Sequence, residues 1–267
     1  MSLHTPFFFT PPTCHFEPDS AVRSKKRGWF FLLKSIIFFL VFYPTLSTAY
    51  ISFDDKNRFI MSGNRMSVNI VNDGVDAALA EVSVSWGDSK NVDYVPLVVS
   101  NPLLKIPAGG RASVNILYQG EGLPKDRESY MLLNILDVPT APHEPNNLQI
   151  ALRHRLKLLY RPPLKETLDD AMANLGWKLL GNGEQIAANN PSPYYLTLTD
   201  IEITDRNHRI CGEPIEHLMI SPFSSTSLEI PNCSPASLRF GIVSDAGNMR
   251  PYQAELIPGK NNLGSRM

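Results

Sequence analysis

Apolar residues recur at every second position along much of the chain, as in Met66, Val68 and Ile70, and again in Ala80, Val82, Val84 and Trp86. Successive side chains of a strand point to opposite sides, so this period buries one face and leaves the other in water. Turn signals separate the runs at short intervals, at Asn72-Asp73-Gly74, Pro107-Ala108-Gly109-Gly110, Gly181-Asn182-Gly183 and Asn189-Asn190-Pro191. Many short strands without the long crossovers of a parallel sheet predict an all-β sandwich or barrel. One helix-like stretch, residues 164–175, follows Pro162-Pro163 and is too isolated to change the class.

The first 49 residues belong to a different kind of sequence, holding nine of the 13 phenylalanines. Arg23, Lys25, Lys26 and Arg27 precede an apolar run over residues 29–43, and Pro44 and Ser47-Thr48-Ala49 follow it. Basic region, apolar region and small residues in that order predict a secretory signal, with cleavage after Ala49. The rival is an uncleaved anchor, but a spanning helix needs about 20 mostly apolar residues, and this run is shorter and carries Lys34. Pro162-Pro163 divides the remainder almost evenly. The expected organisation is an extension and signal over 1–49, then sandwich domains over 50–163 and 164–267, each near immunoglobulin size.

Charge and motifs exclude several functions. With 25 Lys+Arg against 26 Asp+Glu, the net charge of -1 offers no basic footprint for nucleic acid. The exported part lacks G-x-S-x-G, H-E-x-x-H and a P-loop, and Gly181-Asn182-Gly183 has Ile186 where a dinucleotide fingerprint needs its third glycine. It reads better as a hairpin turn. His143, His154, His208 and His217 show no ligand spacing. An enzyme is therefore not expected, and neither a cofactor nor a metal is called for. In an oxidising compartment Cys211 and Cys233 are expected to pair, the alternative being two buried thiols.

The most informative segment is residues 148–160, where Leu148, Ile150, Leu152, Leu156, Leu158 and Tyr160 share one face that only His154 interrupts. At about 3.3 Å per residue it is roughly twice a usual strand and overshoots a single core. Such a strand is either covered by its own domain or presents an apolar edge to another protein by strand addition.

These features converge on a known family. Leu123-Pro124-Lys125-Asp126-Arg127-Glu128-Ser129 with Asn134 downstream resembles the L-P-x-D-R-E-S signature of the periplasmic chaperones of the chaperone-usher pilus pathway, the PapD-like family. Leu148-Gln149-Ile150-Ala151-Leu152, Leu156-Lys157-Leu158-Leu159-Tyr160-Arg161-Pro162, Asn57-Arg58, Asn190-Pro191-Ser192-Pro193-Tyr194-Tyr195 and Ser221-Pro222-Phe223-Ser224 follow in the family's order.

The resemblance implies two immunoglobulin-like β-sandwich domains arranged as a boomerang with a cleft between them. It implies a periplasmic protein that binds, folds and caps pilin subunits by donor-strand complementation and delivers them to an outer-membrane usher. Self-association of the free protein would be a means of shielding the strand. Leu148, Ile150 and Leu152 match the donor-strand residues, and Arg58 and Lys157 match the pair that anchors the subunit's C-terminal carboxylate. Glu128, Arg161 and Asp245 match an interdomain salt-bridge network. For Asp245 the local Val243-Ser244-Asp245-Ala246-Gly247 context equally suits a turn residue. The Cys211–Cys233 pair lies outside the family's shared motifs. A structural pilin of the same sandwich class is the rival reading, but it would need a partner's strand where this chain carries its own.

Overall fold

The computed structural model describes residues 51–54, 56–88, 93–138, 150–181 and 183–267. The expected signal segment, its cleavage point and Leu148 lie outside the described residues.

The first sandwich is built from β1 (Ile51–Ser52), β2 (Arg58–Met61), β3 (Arg65–Asn72), β4 (Ala78–Trp86), β5 (Leu97–Val99), β6 (Leu103–Ile106), β7 (Arg111–Tyr118), β8 (Ser129–Val138) and β9 (Leu152–Tyr160). One sheet has the order β1-β3-β7-β5 and the other β2-β9-β8-β4-β6. Their inner faces are the alternating residues: Val68 and Ile70 from β3, Ala80 and Val82 from β4, Val114 and Ile116 from β7, and Met131, Leu133 and Ile135 from β8. Each such valine, leucine, isoleucine or methionine side chain contributes about 1.5–3 kcal/mol on burial.

Between β1 and β2 the chain passes from one sheet to the other, turning at Asp54 with φ 48°. Asn72 is fully enclosed where two turns meet. Its Nδ2 lies 3.1 Å from the Ile106 carbonyl and 3.0 Å from that of Pro107, and its Oδ1 accepts from the Gly74 amide at 2.9 Å. A buried amide with its donors and acceptor matched ties both turns to the sheet.

The second sandwich follows α1 (Leu168–Ala173) with β10 (Gly176–Leu180), β11 (Gln185–Asn190), β12 (Leu196–Asp205), β13 (Ile215–Ile220), β14 (Ser224–Glu229), β15 (Pro235–Val243), β16 (Met249–Glu255), β17 (Asn262–Leu263) and β18 (Ser265–Arg266). The sheet orders are β14-β11-β10-β17 and β13-β12-β15-β16-β18. Trp177, Ile186, Leu198, Phe240 and Ile242 fill its core, with Met172 from α1. The Gly181–Gly183 signal is a hairpin turn between β10 and β11, its two glycines at φ 55° and 94°. Cys211 and Cys233 form a disulfide with Cα atoms 5.7 Å apart.

The helix is shorter than the expected 164–175. Thr167 caps it: the Asp170 amide donates to Thr167 Oγ1 at 3.2 Å, and the Thr167 amide donates to Asp170 Oδ2 at 3.3 Å. This reciprocal pairing satisfies the free amides of the first turn and sets where the helix begins.

Candidate functional site: an open strand edge and a cation pair

The site begins with β9. Along its whole length it pairs antiparallel with β8, from Ser129 opposite Tyr160 to Asp137 opposite Leu152. On its other side β2 pairs with it in parallel only from Lys157 to Tyr160. Among the described residues, the edge from Leu152 to Leu156 therefore has no strand beside it. Exposure follows the pairing along one face: Ile150 is 66% exposed, Leu152 43%, Leu156 half-buried and Leu158 fully buried. His154, which interrupts that face in the sequence, sets its ring edge against Phe53 at 5.1 Å.

The expected strand over 148–160 differs from the observed one at its start. Ile150 and Ala151 are outside β9, because β8 supplies no paired residue beyond Asp137. Ile150 thus precedes the ladder while Leu152 opens it.

Arg58 and Lys157 are register partners on β2 and β9. Arg58 is buried, at 7% exposure. Its Nη1 donates to the Val243 carbonyl of the second sandwich at 3.3 Å, and its Nε has no partner among the described residues. Burial pulls the guanidinium below its ordinary value against the opposing pull of Glu128 and Asp245. Lys157 Nζ sits 2.6 Å from Nε2 of His217 on β13. Burial, then the charge of Arg58, holds the Lys157 ammonium below its usual range. Two cations on adjacent strands, neither with a carboxylate bonded to it among the described residues, are chemically poised for an anion. A cavity of about 470 Å³ opens beside Arg58, lined in part by Lys56, Asn57, Arg58, Ser67, Asp245 and Gly247.

Behind this pair Arg161 joins the two sandwiches. Its Nε donates to Glu128 Oε1 at 2.6 Å, and Nη1 and Nη2 donate to the two oxygens of Asp245 at 2.6 and 2.7 Å. The guanidinium also lies 4.9 Å from the centre of the Tyr194 ring. Glu128 is 2% exposed, and its second oxygen accepts from the Tyr195 amide at 2.7 Å. Burial pushes the Glu128 carboxyl up, opposed by Arg161 and that amide. For Asp245 burial is the largest influence and acts in the same direction, but the Arg161 hydrogen bonds and the charges of Arg161, Arg58 and Arg250 together outweigh it and leave the carboxyl below its ordinary value. Arg161 is desolvated too, and its bonds to both carboxylates more than compensate, raising its affinity for the proton.

Sequence reasoning brought Glu128, Arg161 and Asp245 onto one list, and the structure brings them within hydrogen-bond distance. It missed His217 and the Val243 carbonyl. Neither has a local signal: His217 lies 60 positions from Lys157, and a backbone carbonyl carries no side-chain signature.

Comparison with known proteins closes the question of kinship. Residues 55–165 match the family described as pili and flagellar-assembly chaperone, PapD N-terminal domain. Residues 170–254 match the pili assembly chaperone PapD, C-terminal domain. The chain is 32% identical over 204 residues to the chaperone protein FimB/FhaD of Bordetella pertussis, covering 71% of this chain and 81% of that one. It is 30% identical to the chaperone protein PmfD of Proteus mirabilis, over 72% of this chain and 78% of that one. The crystal structure of the YadV chaperone, a probable fimbrial chaperone of Escherichia coli, superposes with a TM-score of 0.65 at 28% identity, over 78% of this chain and 100% of that one. With both domains matched in order, the chain belongs to the PapD family of periplasmic pilus-assembly chaperones, which bind their clients and do not catalyse.

Proposed function

We propose that this protein captures pilin subunits on the open edge of β9, anchors their C-terminal carboxylate on Arg58 and Lys157, and passes them to an outer-membrane usher. The observation that carries this reading is the continuity of one short segment. Ile150 and Leu152 are exposed, the backbone has no strand on one side as far as Leu156 among the described residues, and the next residue is the partner of a buried arginine.

A subunit strand laid along that edge completes its hydrogen bonds and takes up the alternating side chains. Leu148 continues the same period in the sequence and is proposed as the third donor residue. Three such side chains supply about 4–9 kcal/mol before ordering costs. A terminal carboxylate offers two acceptor oxygens to the Arg58 and Lys157 donors, in charge-assisted bonds strengthened by burial. Pinning the terminus also sets register, since a slip of one residue would turn every apolar side chain to the wrong face. Glu128, Arg161 and Asp245 hold the two sandwiches so that the anchor persists between clients. The boundary proposed after Pro163 falls in the segment joining β9 to α1. Export through a signal cleaved after Ala49 delivers the chain to its clients.

The test is co-purification from periplasm with the cognate pilin, comparing wild type with Arg58→Ala and Lys157→Ala. A stoichiometric complex that both substitutions abolish is the expected result. Undiminished capture by the folded variants would overturn the anchor.

A further inference from the structure

The contact between Lys157 and His217 reaches further than the anchor itself. An ammonium has three donors and no acceptor, so at 2.6 Å the imidazole Nε2 must accept. His217 is therefore neutral there, with its proton on Nδ1. Lys157 is the charged group that faces the ring across the boundary between the sandwiches, with Arg58 of β2 beside it. On its own sheet the ring's cross-strand neighbour is Thr199 of β12, which carries no charge. His217 is exposed overall, and partial desolvation of its ring first, and the Lys157 charge second, hold the imidazole below its ordinary value, which favours the accepting form.

A lysine beside an arginine on the adjacent strand is repelled by it, and its flexible stem lets the ammonium swing away into water. An acceptor on the opposite wall counters both tendencies. We propose that His217 is a positioning residue for Lys157: its neutral imidazole holds the ammonium beside Arg58 in the subunit-free protein, so that the carboxylate meets two donors already in place. The inference rests on the reading of Lys157 as a carboxylate anchor. Preorganisation of this kind improves affinity by removing an ordering cost from the binding step. Lysine keeps two further donors for the carboxylate while the third stays on the ring.

The experiment has two arms. Nitrogen-15 NMR of the whole mature protein reads the His217 tautomer and its titration. The expected result is protonation at Nδ1 and a pKa below the usual histidine value that moves toward that value in Lys157→Met. A ring protonated at Nε2, or a titration indifferent to Lys157→Met, would overturn the proposal. The second arm uses a synthetic peptide of the cognate pilin's C-terminal strand, as free acid and as amide. His217→Ala is expected to weaken binding of the free acid about 3- to 10-fold, the scale of one net hydrogen bond, and to leave the amide unchanged. His217→Gln, which keeps an uncharged acceptor, is expected to restore the free-acid affinity. Equal binding of acid and amide to wild type would sink the anchor reading of Lys157. A wild-type preference for the acid that His217→Ala leaves intact would sink the role of His217 alone.

Discussion

Two arginines flank the boundary between the sandwiches, and they are treated in opposite ways. Arg161 gives three hydrogen bonds to two carboxylates and stacks on Tyr194. Arg58, the more deeply enclosed, gives one to a backbone carbonyl and leaves Nε unpartnered. A cation with all its partners is part of the framework, and its net worth lies in not being broken. A buried cation without a bonded counter-ion costs stability in the empty protein, and that cost is offset when an anion docks. On the proposed reading of the site, this difference separates the framework from the receptor within one cluster.

The largest expected effect falls on the framework. Arg161→Met leaves Glu128 buried without its cation and is expected to lower the unfolding free energy by about 3–5 kcal/mol in chemical denaturation. Arg58→Met removes a charge that had no carboxylate bonded to it and is expected to stay within about 1 kcal/mol of wild type, on either side. Equal losses from the two substitutions would erase the distinction.

Lys157→Ala sharpens the receptor side. The folded protein is expected to keep its circular dichroism and its melting curve while affinity for a pilin subunit drops by about 2–5 kcal/mol, roughly 30-fold to several thousand-fold. A competition assay against labelled subunit measures it. Next in size is Leu152→Asp, on the open edge. Leu152 is 43% exposed in the free protein, so stability is expected to move by no more than about 0.5 kcal/mol. Capture loses the burial of one leucine, about 1.5–3 kcal/mol. A variant that captures normally would place the donated face elsewhere.

How much of this was legible beforehand depends on the range of the interaction. Alternation in β3 and β4 announces sandwich strands, because the period of two is a property of neighbouring residues. Thr167 and Asp170, three residues apart, carry a local signal for the start of α1 that the Pro162-Pro163 pair does not. The start of β9 was not legible: the alternation runs back to Leu148, while the ladder begins at Leu152 because β8 supplies no partner beyond Asp137. Burial along β9 was equally hidden, since Leu152 and Leu158 follow the same alternation while only Leu158 lies in the core and beside β2. The motif around Glu128 marked its importance through resemblance, whereas the absence of a partner for Arg58 Nε is a fact of packing alone. His217 reaches Lys157 from another domain, and no pattern within either strand encodes that meeting.

The smallest expected effect tests the sign of the framework's electrostatics. Asp245 titrates below its ordinary value of 3.8, so between its folded pKa and that value the native state binds fewer protons than the unfolded chain. Its contribution is fully present above that value and is lost as pH falls through the folded pKa. Glu128 has the opposite slope: its folded pKa lies above 4.5, so its contribution declines as pH rises through that window. The difference between wild type and Asp245→Asn isolates the first slope from the second. Because the Asp245 side chain is 40% exposed, solvent screens it, and the gap at pH 7 is expected to be under about 1 kcal/mol. The gap should close as pH falls below 3.8 and shrink in 1 M salt, where screening acts over about 3 Å. A gap that persists unchanged at about pH 2.5 would mean that the aspartate acts through its shape and hydrogen bonds, not through its charge.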